Sequence, residues 1–283
     1  MGGFHAVAFD DGEEMLLRAR GKLKQVGAIL PGDWVEVAQE GRDPVIERVL
    51  PRTSELVRPP VANVDLVVAV MALVSPPPVL ELLDRILVRA EQEGLGAVIA
   101  FNKVDLADPA EVDALAAPYR RAGYPAVGTS AQTGAGIREL EEAVGTRLAV
   151  LSGPSGVGKS SLLNLLAPKP VQRTGEVSAK TQRGRHTTRA VSLFRLRTGG
   201  WMADAPGFST LGLATVEPRA VREWFPEFVP LSGECRFTGC LHRQEPGCAV
   251  REAVEEGTID RGRYERYLKL LAEMERAYER RYS

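Results

Sequence analysis

Eight consecutive residues, Gly153-Pro154-Ser155-Gly156-Val157-Gly158-Lys159-Ser160, match the spacing G-x-x-x-x-G-K-[ST] in full. The chemistry of this pattern is the cradling of phosphate. Glycines let several backbone N–H groups converge on one anion, and the helix that follows adds the positive end of its dipole. Lys159 has the reach for β- and γ-phosphates, and the Ser160 hydroxyl is a hard oxygen ligand for Mg²⁺. The expected phosphate-binding set is therefore Gly153, Gly156, Val157, Gly158, Lys159, Ser160 and Ser161. The loop needs a strand before it and a helix after it, and Ala149-Val150-Leu151 and Ser161–Leu166 read as those elements.

Two further groups choose the nucleotide. Asn102-Lys103-Val104-Asp105 follows the apolar run Ala97–Phe101 and resembles the guanine-recognition motif of GTPases. An aspartate at Asp105 accepts from both N1–H and the 2-amino group of guanine, whereas adenine offers neither. The Lys103 stem can lie across the base. Ser130-Ala131 follows another short strand and resembles the loop whose backbone N–H meets guanine O6. Asp204-Ala205-Pro206-Gly207 has the D-x-x-G form, in which Asp204 holds Mg²⁺ through its water shell. The Gly207 N–H then senses the γ-phosphate. A P-loop ATPase or small-molecule kinase is opposed by the Asn-Lys-x-Asp element.

The order of these motifs is unusual. The base-reading elements at 102–105 and 130–131 precede the phosphate loop at 153–160, so the sheet is expected to be circularly permuted. Between the phosphate loop and D-x-x-G lies a basic stretch, Lys169 to Arg197, with Glu176 as its one acid. Such a block reads either as a solvated loop or as a contact for a phosphate backbone. It contains Gly184-Arg185-His186-Thr187-Thr188, where one threonine is expected to complete the Mg²⁺ shell, with Thr188 preferred over Thr187. Phe208 stands where many GTPases keep a water-orienting glutamine. A phenyl ring cannot do that work, which leaves His186 as the catalytic candidate; its alternative role is a contact to phosphate backbone.

Cys235, Cys240 and Cys248 are all the cysteines of the chain, and His242 lies among them. Three thiolates and an imidazole form a closed tetrahedral Zn²⁺ set with no position left for a reacting water. One structural zinc is expected, folding a turn-rich segment too small to bury its own core.

The elements that position these groups are legible from period and turns. In the first sixty residues, short β-rich runs at Phe4–Phe9, Met15–Arg20, Asp33–Ala38 and Val45–Val49 alternate with turn signals, and a small barrel is the natural way to bury them. Beyond Pro59-Pro60 apolar runs alternate with helical spacing, predicting a parallel sheet covered by helices on both faces. Beyond Leu213 come the cysteines and a final helix over about Arg261–Arg281, whose apolar stripe reads as core. The expected domains are residues 1–60, 61–212 and 213–283. With 283 residues, 44% hydrophobic, 26% charged and net charge −1, the composition is that of a globular protein without a global nucleic-acid signature. No apolar run approaches the roughly 20 residues of a membrane span. Met1-Gly2-Gly3-Phe4-His5 lacks the features of a signal peptide, so a cytoplasmic location is expected.

Taken together, the motifs resemble the circularly permuted GTPase family known as RsgA or YjeQ, the ribosome small-subunit-dependent GTPases. The resemblance rests on Arg58-Pro59 with Val61-Ala62-Asn63-Val64-Asp65, on Asn102–Leu106, on Ser155–Asn164, on Gly184–Thr188 and on the cysteine cluster with Glu245-Pro246-Gly247-Cys248. It implies an α/β multidomain protein: an N-terminal OB-type β-barrel, a permuted P-loop GTPase domain and a C-terminal zinc-binding helical domain. It also implies GTP hydrolysis stimulated by the small (30S) ribosomal subunit during its late maturation, with the histidine matching His186 as catalyst. GTP and GDP, the small subunit and its rRNA are the implied partners of a monomer. The opposing reading is a passive GTP-controlled RNA-binding module in which hydrolysis is incidental.

Overall fold

A computed structural model describes residues 4–21, 23, 28–41, 43–169, 191–204, 208 and 217–282. The chain divides into two compact units, Met1–Val64 and Asp65–Ser283.

The first unit holds strands β1 (Phe4–Ala8), β2 (Glu14–Ala19), β3 (Val35–Glu40) and β4 (Asp43–Val49), hydrogen-bonded in the order β1-β2-β4-β3. β1 and β2 form a hairpin closed at Gly12, whose N–H donates to Phe9 O at 3.0 Å. Strand alternation turns Val7, Leu17 and Ile46 inward, where Phe9, Val35 and Val37 pack against them. A register shift between Glu36 and Val37 bends the β3–β4 pair. A short hairpin of β5 (Glu55–Val57) and β6 (Pro60–Ala62) occupies the stretch where Pro59-Pro60 marks a boundary in the sequence. Asn63 fastens this region: its side chain accepts from Thr53 N–H at 2.9 Å and donates to Gly32 O at 2.9 Å.

The second unit is built on a six-stranded sheet. Its strands are β7 (Leu66–Ala72), β8 (Gly96–Asn102), β9 (Ala126–Thr129), β10 (Leu148–Ser152), β11 (Ser192–Arg195) and β12 (Trp201–Asp204), in the order β11-β12-β10-β7-β8-β9. Only β11 runs antiparallel to its neighbour. Every residue of β7 is buried, as its unbroken apolar run requires of a strand covered on both faces. On one face Leu66, Val68, Val70 and Leu151 pack with α3 (Ile137–Val144) and α4 (Lys159–Leu166). Helices α1 (Leu80–Gln92) and α2 (Pro109–Arg121) complete the layers. Asp108 caps α2 by accepting from Ala110 N–H at 2.8 Å, with Pro109 at the first helical position. The chain enters the sheet at β7, runs outward to β9 and returns to β10 before reaching the other edge at β11 and β12, so the strands carrying the 102–105 and 130–131 motifs precede the one that leads into the loop at 153–160.

The C-terminal segment of this unit carries a 3₁₀ stretch (Pro218–Trp224), α5 (Val229–Ser232), α6 (Ala249–Glu255) and α7 (Arg261–Tyr282). The apolar stripe of α7 is core: Tyr264, Tyr267, Leu271 and Met274 pack with Phe225 and Phe228, and Val88 of α1 joins them. Phe225 and Phe228 stack at 5.2 Å between centroids, and Tyr267 meets Phe228 edge-on at 4.9 Å. Beside this cluster Arg263, 1% exposed, donates to Asp84 of α1 at 2.7 Å and also pairs with Glu227. Its guanidinium lies over the rings of Phe225, Tyr119 and Tyr124 at 5.0, 5.2 and 5.4 Å. Arg266 holds the other oxygen of Asp84.

Candidate nucleotide site and metal centre

The phosphate loop joins the end of β10 to the start of α4, and its glycines are demanded by neighbours as well as by φ. At Gly153 (φ 146°) an added Cβ would lie 2.1 Å from Val70 O. At Gly158 (φ 96°) it would lie 2.2 Å from Asn102 Nδ2. The second collision reveals how the motifs are tied. Asn102, 1% exposed at the end of β8, donates from Nδ2 to Val157 O at 2.8 Å, and Thr129 Oγ1 of β9 donates to its Oδ1 at 3.3 Å. Asn102 thus straps the ends of β8 and β9 to the phosphate loop. Sequence reasoning placed it with the guanine-binding residues, and its contacts here are to the phosphate loop.

Lys103 adopts a left-handed conformation (φ 66°), which swings its ammonium back over the loop. It donates to Gly156 O at 2.9 Å and to Ser75 O. Asp105 follows in a single 3₁₀ turn, Val104–Leu106, and is exposed. The Ser130 hydroxyl, buried, accepts from the N–H groups of Gln132 (3.2 Å) and Thr133 (3.1 Å), fixing the turn that carries Ala131. The two elements expected to read guanine therefore follow adjacent parallel strands, with Asn102 opposite Thr129.

Lys159 donates to Gly153 O at 2.8 Å and Pro154 O at 2.6 Å. Burial lowers its pKa while the negative charge of Asp204 opposes the shift, so that carboxylate lies within electrostatic range of the loop. Asp204 ends β12 in register with Leu151 of β10. The Ser160 hydroxyl and the Asp204 carboxylate are hard oxygen donors of the kind Mg²⁺ takes. His186, Thr188 and Gly207 lie outside the described residues. Phe208 is described: it is 1% exposed, beneath Arg89 of α1.

In the C-terminal segment Cys235, Cys240, His242 and Cys248 bring their ligand atoms within 4.8 Å of one another. His242 Nδ1 lies 3.6 Å from Cys235 Sγ and 3.4 Å from Cys248 Sγ, and those two sulfurs are 4.0 Å apart. A tetrahedron with Zn–S bonds of about 2.3 Å and a Zn–N bond of about 2.0 Å has edges of roughly 3.5–3.8 Å, so the cluster fits that ion. Without a cation, burial pushes the Cys240 and Cys248 thiols up, so a divalent ion must displace protons on binding.

The chain also builds a support for these ligands that the cysteine spacing does not announce. The Glu245 carboxylate accepts from the N–H groups of Leu241 (2.7 Å), Arg243 (2.7 Å) and Gln244 (2.9 Å), folding the loop around His242, whose φ is 56°. Burial alone would raise this carboxyl, but backbone N–H donors, Glu245's own first and then those of Leu241, Arg243 and Gln244, hold it at about 2. Tyr264 and Tyr267 of α7 donate to His242 O (2.6 Å) and Leu241 O (2.7 Å). Ser232 Oγ lies 3.4 Å from His242 Nε2, the ring nitrogen turned away from the sulfurs.

The profile of the RsgA GTPase family matches residues 49–214. Over 275 residues the chain is 50% identical to the small ribosomal subunit biogenesis GTPase RsgA of Moorella thermoacetica, covering 96% of this chain and 94% of that protein. The crystal structure of YjeQ from Thermotoga maritima superposes with a TM-score of 0.78 at 37% identity, covering 96% of this chain and 94% of the other. That of YloQ, a circularly permuted GTPase, gives 0.79 at 33% identity over 97% of this chain and 92% of the other. With the permuted sheet and its phosphate loop already in place, the conclusion is direct: the chain belongs to the RsgA GTPase family.

Proposed function

We propose that the protein is a GTPase of small ribosomal subunit biogenesis, binding the maturing 30S particle and hydrolysing GTP there to GDP and phosphate. The observation that carries the enzymatic part is the strap from Asn102 to Val157, which locks the guanine-reading strand end to the phosphate loop. The assembly role rests on the relative from Moorella thermoacetica, whose name assigns it to small-subunit biogenesis.

In this reading Asp105 selects guanine, with Lys103 along the base and the Ser130-Ala131 turn at its O6 edge. Lys159 leaves its loop carbonyls for the β- and γ-phosphates, and Gly153, Gly156, Val157, Gly158, Ser160 and Ser161 supply backbone donors. Ser160 and Thr188, with Asp204 through the water shell, would hold Mg²⁺, and that ion would supply positive charge for the phosphates. Gly207 reports the γ-phosphate, and His186 orients the attacking water in place of the glutamine that Phe208 replaces. Zinc bound by Cys235, Cys240, His242 and Cys248 fixes the C-terminal segment.

The three-domain division at 1–60, 61–212 and 213–283, an OB-type barrel closed around the first four strands, contact with rRNA through the basic stretch at 169–197, a monomeric state and a cytoplasmic location complete the proposal. Among the described residues no helix is long and apolar enough to cross a membrane. Co-sedimentation with purified small subunits tests the assembly role. Retention with a non-hydrolysable GTP analogue and release with GDP are expected; equal sedimentation in both states would contradict it.

A further inference from the structure

We propose that Arg89 is a positioning residue for the GTPase reaction, holding the chain immediately after D-x-x-G through Phe208. The inference rests on the reading of Gly207 as the γ-phosphate sensor. Arg89 Nη1 donates to Phe208 O at 3.1 Å, and its guanidinium carbon lies 4.7 Å from the centroid of the Phe208 ring. One side chain therefore grips both the backbone and the ring of the residue next to Gly207. The grip is buried: Phe208 is 1% exposed and Arg89 8%. A carbonyl oxygen and an aromatic face held by a desolvated guanidinium are worth more than the same contacts in water.

Arg89 is itself fixed. Glu93, one turn on, lies 3.7 Å from its Nη2. On α1 the preceding residue, Val88, is part of the C-terminal core, and Asp84 is held by Arg263 and Arg266 of α7. The helix that presents Arg89 is thus anchored to the zinc-binding segment, and a displacement of Phe208 must be absorbed by the Arg89 contact or transmitted to that anchor. Phe208 supplies no hydrogen bond to water from its side chain. Its contribution is to give Arg89 a ring surface and a carbonyl at the residue next to Gly207.

The test compares Arg89→Met, Arg89→Lys and Phe208→Leu with the unaltered full chain. It measures affinities for GDP and a non-hydrolysable GTP analogue, together with kcat and KM for small-subunit-stimulated hydrolysis. The expected result for Arg89→Met is a loss of analogue-over-GDP preference and of kcat of about tenfold each, with GDP affinity nearly unchanged, within the range of a coupling between sites. Arg89→Lys, which keeps a donor but not the planar ring contact, is expected to lie between. Phe208→Leu keeps Arg89 and should lose preference in the same direction by a smaller factor. Unaltered preference and kcat in Arg89→Met, or equal loss of both nucleotides in all three variants, would overturn the proposal. Failure of the Gly207 reading is a separate result: the unaltered chain would then bind the analogue and GDP without preference.

Discussion

The side-chain amide of Asn102 donates to the carbonyl of Val157 at 2.8 Å, so the first residue of the guanine motif holds the phosphate loop. The contact ties the end of β8 to a loop 55 residues further along the chain. Circular permutation leaves this contact intact because it depends on the adjacency of strand ends in the sheet. The order in which the chain visits them does not enter.

Asn102→Ala removes this strap and leaves Val157 O without it in a buried site. A cost of about 1–3 kcal/mol is expected from the unsatisfied carbonyl. Equilibrium unfolding in denaturant measures the stability, and a parallel titration with GDP should show weakened binding. A variant with unaltered stability and unaltered GDP affinity would remove Asn102 from the site.

Asp105→Asn is expected to weaken GTP and favour XTP, because an amide can donate to the 2-oxo group of xanthine where the carboxylate accepted from guanine. Competition between the two nucleotides for the same preparation reads the switch directly. Full GTP affinity in this variant would contradict the assignment of Asp105 to the base.

Removing the metal tests the cysteine cluster. Cys240→Ser should lower bound zinc, measured by elemental analysis, and lower the melting temperature of the C-terminal segment. Glu245→Ala keeps all four ligands but deprives three backbone N–H groups of their acceptor, so zinc should bind more weakly, by about 10- to 100-fold as for other supporting contacts. Equal zinc affinity in the Glu245 variant would show that the loop holds its shape without the carboxylate.

Arg263→Met leaves Glu227 and part of Asp84 unpaired in a buried position. The expected loss is about 3–5 kcal/mol, the range for breaking a buried ion pair from one side. Chemical denaturation followed by tyrosine fluorescence reports it. A loss under 1 kcal/mol, about the value of an exposed pair, would mean that water reaches the network on substitution.

Much of this was legible in the sequence for a physical reason. A run such as Leu66–Ala72 has no polar residue to place on a wet face, so it can only be a covered strand, and Ile137–Val144 shows its buried stripe at helical spacing. The phosphate loop is local, with glycines whose φ values are dictated by the loop itself. What stayed hidden was long-range. Nothing near Asp84 or Arg89 in sequence announces Arg263 or Phe208, which lie 179 and 119 residues away. An Asp and an Arg on the apolar side of α1 were the available signal, since charged residues at such positions require buried partners. β11 is not legible in the sequence because an edge strand carrying Arg195 inside a basic stretch has no apolar run of its own.

The most direct test of the central claim is steady-state GTP hydrolysis by the purified protein with and without purified small ribosomal subunits, with a His186→Ala variant alongside. Stimulation of at least about tenfold by the subunit is expected, as for GTPases whose transition state is completed by a partner. The variant should keep GTP binding and lose the stimulated rate. Equal turnover with and without subunits, while GTP is still bound, would contradict the account.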